Sequence, residues 1–246
     1  MAMIREWLTL LRLARLRFRS NDDYRRFQVY QGHLILHYLT TQGISVQNLR
    51  VLDLGCGNGG YSYVMASAGA HVVSIDLKRP AAIPPTFVLA DARQLPFDSN
   101  RFPLVFCASL IEHVADPAHL LAEIRRVLAP DGAVYLSFPP FNGPVGGHQF
   151  KPYHLLGEKW ALRLSGYKAE SLATACGNWG LYPLTIRRAR QLLAEAGLKV
   201  GHESTRFFPL NTSRLPWLGE FLTWHVQFIL SKGAETNTVQ VKSTSG

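Results

Sequence analysis

RVLDLGCGNGGYSYVMASAGAHVVSID, residues 50–76, decides the fold. RVLDL reads as a buried strand, GCGNGG as a tight turn, YSYVMASAG as a helix ended by Gly69, and HVVSID as a second strand. Strand, turn, helix and strand in that order make a βαβ unit, which requires a parallel pair. Glycines after a buried strand let the backbone approach a ligand, and the helix that follows offers free N–H groups to negative charge. Gly55, Gly57 and Gly60 satisfy G-x-G-x-x-G, and Asp76 lies about 20 residues on, where a ribose-binding acid belongs. On this stretch alone a nicotinamide enzyme stays open.

Outward from it the alternation continues. TFVLAD (86–91) and RFPLVFCASL (101–110) read as a third and a fourth strand, and AHLLAEIRRVL after Asp116-Pro117 as a helix. Pro130-Asp131-Gly132 reads as a turn before a fifth strand, AVYLSF (133–138). Residues 139 to about 184 are irregular and rich in Gly, Pro, His and aromatics, which suggests an inserted cap. IRRARQLLAEAG then reads as a helix, LKVGHESTRFF as a strand and Trp224 to Leu230 as a closing strand. The expected organisation is an amino-terminal helical extension over 1–41, one α/β domain over 42–232, and a disordered polar tail from 233.

A 246-residue chain with 47 % hydrophobic residues can bury one large core. Cys56, Cys107 and Cys176 form no CxxC pair and are odd in number, so neither a disulfide framework nor a zinc cluster is expected, and a cytoplasmic compartment is the default. No apolar run reaches the roughly 18 residues of a membrane span. The net charge of +9 asks for an anionic partner. Arg5, Arg12, Arg15 and Arg19 share one side of an amino-terminal helix and Ile4, Trp7, Leu8, Leu11 and Phe18 another. Such a helix is either a lid with a solvated arginine face or a peripheral membrane contact. LPWLGEF, before the last strand, offers a second apolar patch.

Asp53 before the glycines, Asp91 in LADARQLPF, then LIEHVADP and EIRRVLAPDGAVYLSF follow in order. With these landmarks residues 50 to 139 resemble class I S-adenosylmethionine-dependent methyltransferases, in particular the type 11-like group. The resemblance implies a Rossmann-like, doubly wound, seven-stranded α/β sheet, mostly parallel with an antiparallel last strand and helices on both faces. It implies S-adenosylmethionine as cofactor and S-adenosylhomocysteine as product. By the same resemblance Asp53 would organise the turn, Gly55, Gly57 and Gly59 would face the methionine part, and Asp76 would accept from the ribose hydroxyls. Asp91 would hold the adenine amine, with the Ala92 N–H at the ring and the Ser109 backbone near the sulfonium.

SFPPF (137–141) looks like the Pro-Pro-aromatic signature of enzymes that methylate base amino groups. That signature follows the fourth strand, and here the prolines follow the fifth, so they read as turn residues. The cap stretch NGPVGGHQFKPYH would line the acceptor pocket and carry a general base. His148, His113 and His154 are the catalytic candidates. Glu112, His113 and a cap histidine are suitable metal-ligand types, but no tight spacing supports a metal and none is expected. A small or amphipathic acceptor such as a lipid, glycan or metabolite, methylated on oxygen, fits best. RNA or protein methylation is the enzymatic alternative, disfavoured by the absence of a recognisable RNA-binding module, and a non-catalytic scaffold is the other.

Overall fold

The computed structural model describes residues 2–80, 83–177, 180–206, 208 and 210–233, with the side chains of 2–5 and 7 excepted. Arg5, Ile4 and Trp7, used in the reading of the first helix, and the tail from residue 234 therefore lie outside the described parts.

The sheet has seven strands in the order β3-β2-β1-β4-β5-β7-β6. β1 (Arg50–Leu54), β2 (His71–Asp76), β3 (Phe87–Leu89), β4 (Phe102–Ala108) and β5 (Leu128–Phe138) run parallel. β7 (Val226–Lys232) is antiparallel to both β5 and β6 (Leu198–Thr205). The expected sheet is thus present, with two antiparallel pairings at its far edge. The order reverses between β1 and β4, which opens a crevice at their carboxyl ends.

Period-two alternation in the central strands builds a core on each face. Leu52, Leu54, Val105, Cys107, Val134 and Leu136 point to one face, packed by α4 (Pro117–Val127) and α7 (Ile186–Glu195). Val51, Leu104, Phe106 and Tyr135 point to the other, packed by α2 (Asn21–Thr41) and α3 (Gly60–Ser67). Asp116 caps α4, its side chain accepting from the His119 N–H, and Pro117 occupies the first turn.

β5 begins five residues earlier than its sequence suggests, and Pro130-Asp131-Gly132 lies inside it rather than before it. Pairing jumps from Phe102↔Leu128 to Leu104↔Ala133. The turn residues loop out as an irregularity while the strand resumes on the other side.

α1 (Ala2–Leu16) packs on α2. Its Arg12, Arg15 and Arg19 neighbours are exposed, whereas Arg17 turns inward over the Phe27 ring, 5.1 Å from its centroid. Between β5 and α7 the described residues include the 3-10 helices His148–Phe150 and Tyr153–Leu156, α5 (Glu158–Leu164) and α6 (Leu172–Ala175), around a small core of Phe141, Phe150, Leu162, Leu172 and Leu181. α8 (Gly219–Leu222) lies in the β6–β7 connection.

Candidate active site

The glycine turn sits at the end of β1 with Gly55, Gly57 and Gly59 at φ 68°, 55° and 74°. These left-handed values are where a side chain is strained, so the residue type is dictated by the path. Gly60 serves a different purpose: a Cβ there would meet the Arg25 carbonyl oxygen at 2.9 Å and collide with Gln28. α2 therefore crosses directly over the start of α3, and Gln28 accepts the Gly60 N–H at 3.3 Å.

Asp76 stands at the end of β2, its carboxylate accepting from the Gly57 N–H at 2.9 Å and the Lys78 N–H at 3.0 Å. It ties the turn to the second strand and keeps lone pairs for a ligand. Asp53 lies beneath the turn, fully buried, accepting from the Ser62 hydroxyl, which in turn accepts from Ser74 Oγ at 2.9 Å. Burial drives its carboxyl up to about 7 against the Ser62 hydrogen bond, and Asp76 adds to the rise. Asp91 follows β3 and is gripped by Arg93 at 2.7–3.1 Å, which holds its carboxyl low. Ala92 beside it is buried.

Ser109 ends β4 at φ 54°, its N–H donating to the Ser137 carbonyl at 2.7 Å. The 3-10 turn Ile111–His113 then presents Glu112 and His113. Glu112 is 2 % exposed, and burial raises its carboxyl, with His113 and Arg206 opposing. His113 Nδ1 lies 2.8 Å from the Gly180 carbonyl oxygen; an oxygen there only accepts, so Nδ1 carries the proton and Nε2 the lone pair in the neutral ring. His148 stacks on it at 5.0 Å and 18°.

The Gly-Gly before His148 is a packing requirement. A Cβ on Gly146 would run into the Pro140 carbonyl and one on Gly147 into the His154 ring. His148 itself has φ 47°. Burial, then the charges of His113 and Lys151, push its imidazole down to about 4. His154 is buried, Nε2 donating to the Gly143 carbonyl at 3.3 Å and the ring edge-on to Phe141.

Several site residues carried no motif. Arg206, 2 % exposed, donates to the Tyr61 hydroxyl at 2.9 Å and the Ser137 hydroxyl at 3.3 Å. Tyr61 donates on to Gln31 of α2. His225 Nε2 lies 3.2 Å from Ser109 Oγ, and burial followed by the Arg206 charge holds it well below the usual histidine value. Tyr24 of α2 interacts electrostatically with Tyr61 and Arg206, and burial, then Tyr61, push its hydroxyl up to about 12. The only hint in sequence was a charge inside an apolar run, STRFF, and a histidine opening a strand, TWHVQF.

The cradle fits an adenosyl sulfonium ligand by its shape: three side-chain-free turn residues beside a carboxylate at the reversal of strand order. Residues 52–136 match the family described as a methyltransferase domain. Over that stretch, and in the order of its sheet, the chain is similar to S-adenosylmethionine-dependent methyltransferases. The glycine turn, Asp76, Asp91 and the Glu112-His113 pair all fall within the matched stretch.

Among relatives, an uncharacterized methyltransferase of Mycolicibacterium gilvum is 36 % identical over 48 % of this chain and 49 % of its own. A ubiquinone biosynthesis O-methyltransferase of Aeromonas salmonicida is 32 % identical over 42 % of this chain and 48 % of its own. The chain thus spans about half the length of each. In structure it resembles a 1,6-didemethyltoxoflavin-N1-methyltransferase of Burkholderia thailandensis bound to S-adenosylhomocysteine, with TM-score 0.55, 18 % identity, and 93 % and 90 % of the two chains covered. At that identity the likeness concerns the fold.

Proposed function

We propose that the chain transfers the S-adenosylmethionine methyl group to an oxygen of a small or amphipathic acceptor, such as a lipid, glycan or metabolite. The carrying observation is the His113–His148 pair at the end of β4 beside Ser109, where the transferred methyl is expected. The donor supplies an electrophilic methyl on a sulfonium. The protein's part is to align the acceptor oxygen and dispose of its proton. A hydroxyl is a poor nucleophile until that proton is held, and His113 offers an Nε2 lone pair fixed in direction by its Nδ1–H bond to Gly180. His148, stacked on it, is the second candidate; His154, committed to Gly143, is assigned to holding the cap. Asp76 and the Gly55–Gly59 turn are assigned to the cofactor, with Asp91 and Ala92 at the adenine end and Asp53 supporting the turn from below.

The amphipathic acceptor is supported by the β6–β7 connection. It leaves the site at Arg206 and returns at His225, the Arg206 N–H closing on the His225 carbonyl at 2.7 Å. Between them Leu210, Trp217, Phe221 and Leu222 are exposed, Trp217 to 76 %. An exposed tryptophan on a segment anchored at the buried Arg206 suits a bilayer interface as the route of entry. The +9 charge and the exposed arginines around α1 suit an anionic surface. None of the described helices is long and apolar enough to cross a membrane, so the contact proposed is peripheral.

The test is transfer of labelled methyl from S-adenosylmethionine into host extract split into lipid, polar small-molecule, RNA and protein fractions, with Asp76→Ala as control. Label in lipid or small molecules that vanishes in the variant supports the reading. Label confined to RNA or protein overturns it.

A further inference from the structure

Glu112, His113 and His148 each offer one ligand atom, and these atoms all lie within 4.8 Å of one another. Two of them come from the 3-10 turn after β4 and the third from the cap, so the cluster exists only once the cap is seated. The sequence spacing, 35 residues between the histidines, gives no hint of this convergence. Glu112 makes the cluster more than a chance grouping. It is 2 % exposed, and neither carboxylate oxygen accepts a hydrogen bond from another described residue. His113 Nε2 lies 3.9 Å from Glu112 Oε1. A buried carboxylate without donors is costly unless a cation or a proton balances it.

We infer that Glu112, His113 and His148 bind a divalent first-row transition ion. The donor set is two imidazoles and one carboxylate, the composition of open, three-ligand sites that leave a position for a substrate oxygen. Magnesium and calcium, which take oxygen ligands, do not match two imidazoles. His113 is already oriented as a ligand, because its Nδ1–H is spent on the Gly180 carbonyl and Nε2 faces Glu112. Tetrahedral bonds of about 2.0–2.2 Å place ligand atoms roughly 3.4 Å apart. The ligand atoms, within 4.8 Å of one another, would draw in by about 1.4 Å on binding.

The role of such an ion rests on the oxygen-methylation reading; its binding does not. In that reading the open position would hold the acceptor hydroxyl, and the ion, in place of the His113 lone pair, would ease loss of its proton, which passes to water. The oxygen–methyl bond forms as the carbon–sulfur bond breaks, and one proton is released per turnover with no oxidant or reductant required.

The experiment is titration calorimetry of the full chain, stripped with chelator and exchanged into clean buffer, with ZnCl2, backed by the absorption spectrum of the Co2+-loaded protein. Glu112→Gln keeps shape and removes a buried charge, and His148→Asn suits the left-handed backbone while falling short of the ion. Expected are one Zn2+ per chain in the native protein, affinity about 30-fold or more weaker in both variants, and no change in His119→Ala on the exposed side of α4. S-adenosylhomocysteine binding, titrated in parallel, stays in all of them. Absence of stoichiometric binding to the native chain, or variant affinities within about threefold of it, overturns the site. Stoichiometric Zn2+ lost in both variants, from a protein that labels no lipid or small molecule, leaves the site standing and overturns the acceptor reading alone.

Discussion

Gly60 and Asp76 lie on opposite sides of the same turn and fail in different ways when changed. Gly60 has no room for a methyl group, because the Arg25 carbonyl and Gln28 of α2 close over it. Gly60→Ala should cost about 1–3 kcal/mol through overpacking and push α2 off α3, lowering the melting temperature while weakening cofactor binding only indirectly. Asp76→Ala removes no packing of that kind; it deletes the acceptor of the Gly57 and Lys78 N–H groups and the carboxylate assigned to the ribose. Hydrogen bonds to a charged group are worth about 1.5–3 kcal/mol each. The thermal shift given by saturating S-adenosylhomocysteine should therefore nearly vanish in Asp76→Ala and largely persist in Gly60→Ala. A full ligand shift in Asp76→Ala would remove that residue from the cofactor site.

The β6–β7 connection runs from the buried Arg206 out to an exposed apolar surface. Replacing Trp217 and Phe221 by serine leaves Arg206 and His225 in place and removes two exposed side chains, so stability should move by no more than about 0.5 kcal/mol per site. Co-sedimentation with phosphatidylglycerol-containing vesicles should fall about tenfold or more, since each ring forfeits roughly 1.5–3 kcal/mol of burial. Unchanged sedimentation would sink the membrane route. This element also marks where the sequence stopped being readable. The β1–α3–β2 unit was legible because strand, left-handed glycine turn and acid lie within 27 consecutive residues, 50–76, each forced by local geometry. Arg206 and His225 reach Ser137 and Ser109 only because β7 pairs antiparallel with both β5 and β6. No local pattern encodes that pairing of distant segments. The extended β5 escaped for the opposite reason: Pro130-Asp131-Gly132 is strong local turn chemistry, overridden by the sheet on either side. The histidine pair combines both cases, with His113 in a recognisable turn and His148 placed by a cap whose Gly-Gly has meaning only against Pro140 and His154.

At the scale of the whole molecule these buried groups set how folding responds to acid. Asp53 has its carboxyl raised from the ordinary 3.8 to about 7 by burial, so between those values the native protein keeps a proton that the unfolded chain has released. Stability from this group is then highest below pH 3.8 and declines as pH rises towards about 7. His225 acts in the opposite sense: burial lowers it well below 6.5, so the unfolded chain binds a proton that the native protein refuses, and stability falls as pH drops beneath 6.5. The two slopes oppose one another over much of the mildly acid range, and the intact protein should show a shallow dependence there. Asp53→Asn keeps an acceptor for Ser62 while deleting the first slope. Its melting temperature relative to the parent should therefore rise as pH increases from 4 to about 7 and level off above that, measured on ligand-free protein by thermal unfolding across that series. Because a chain of this size shifts by about 2–4 °C per kcal/mol, the divergence should span several degrees. A difference that stays constant with pH would mean that Asp53 is already ionised in the fold, and that the short contact to Ser62 supports a charge rather than a shared proton.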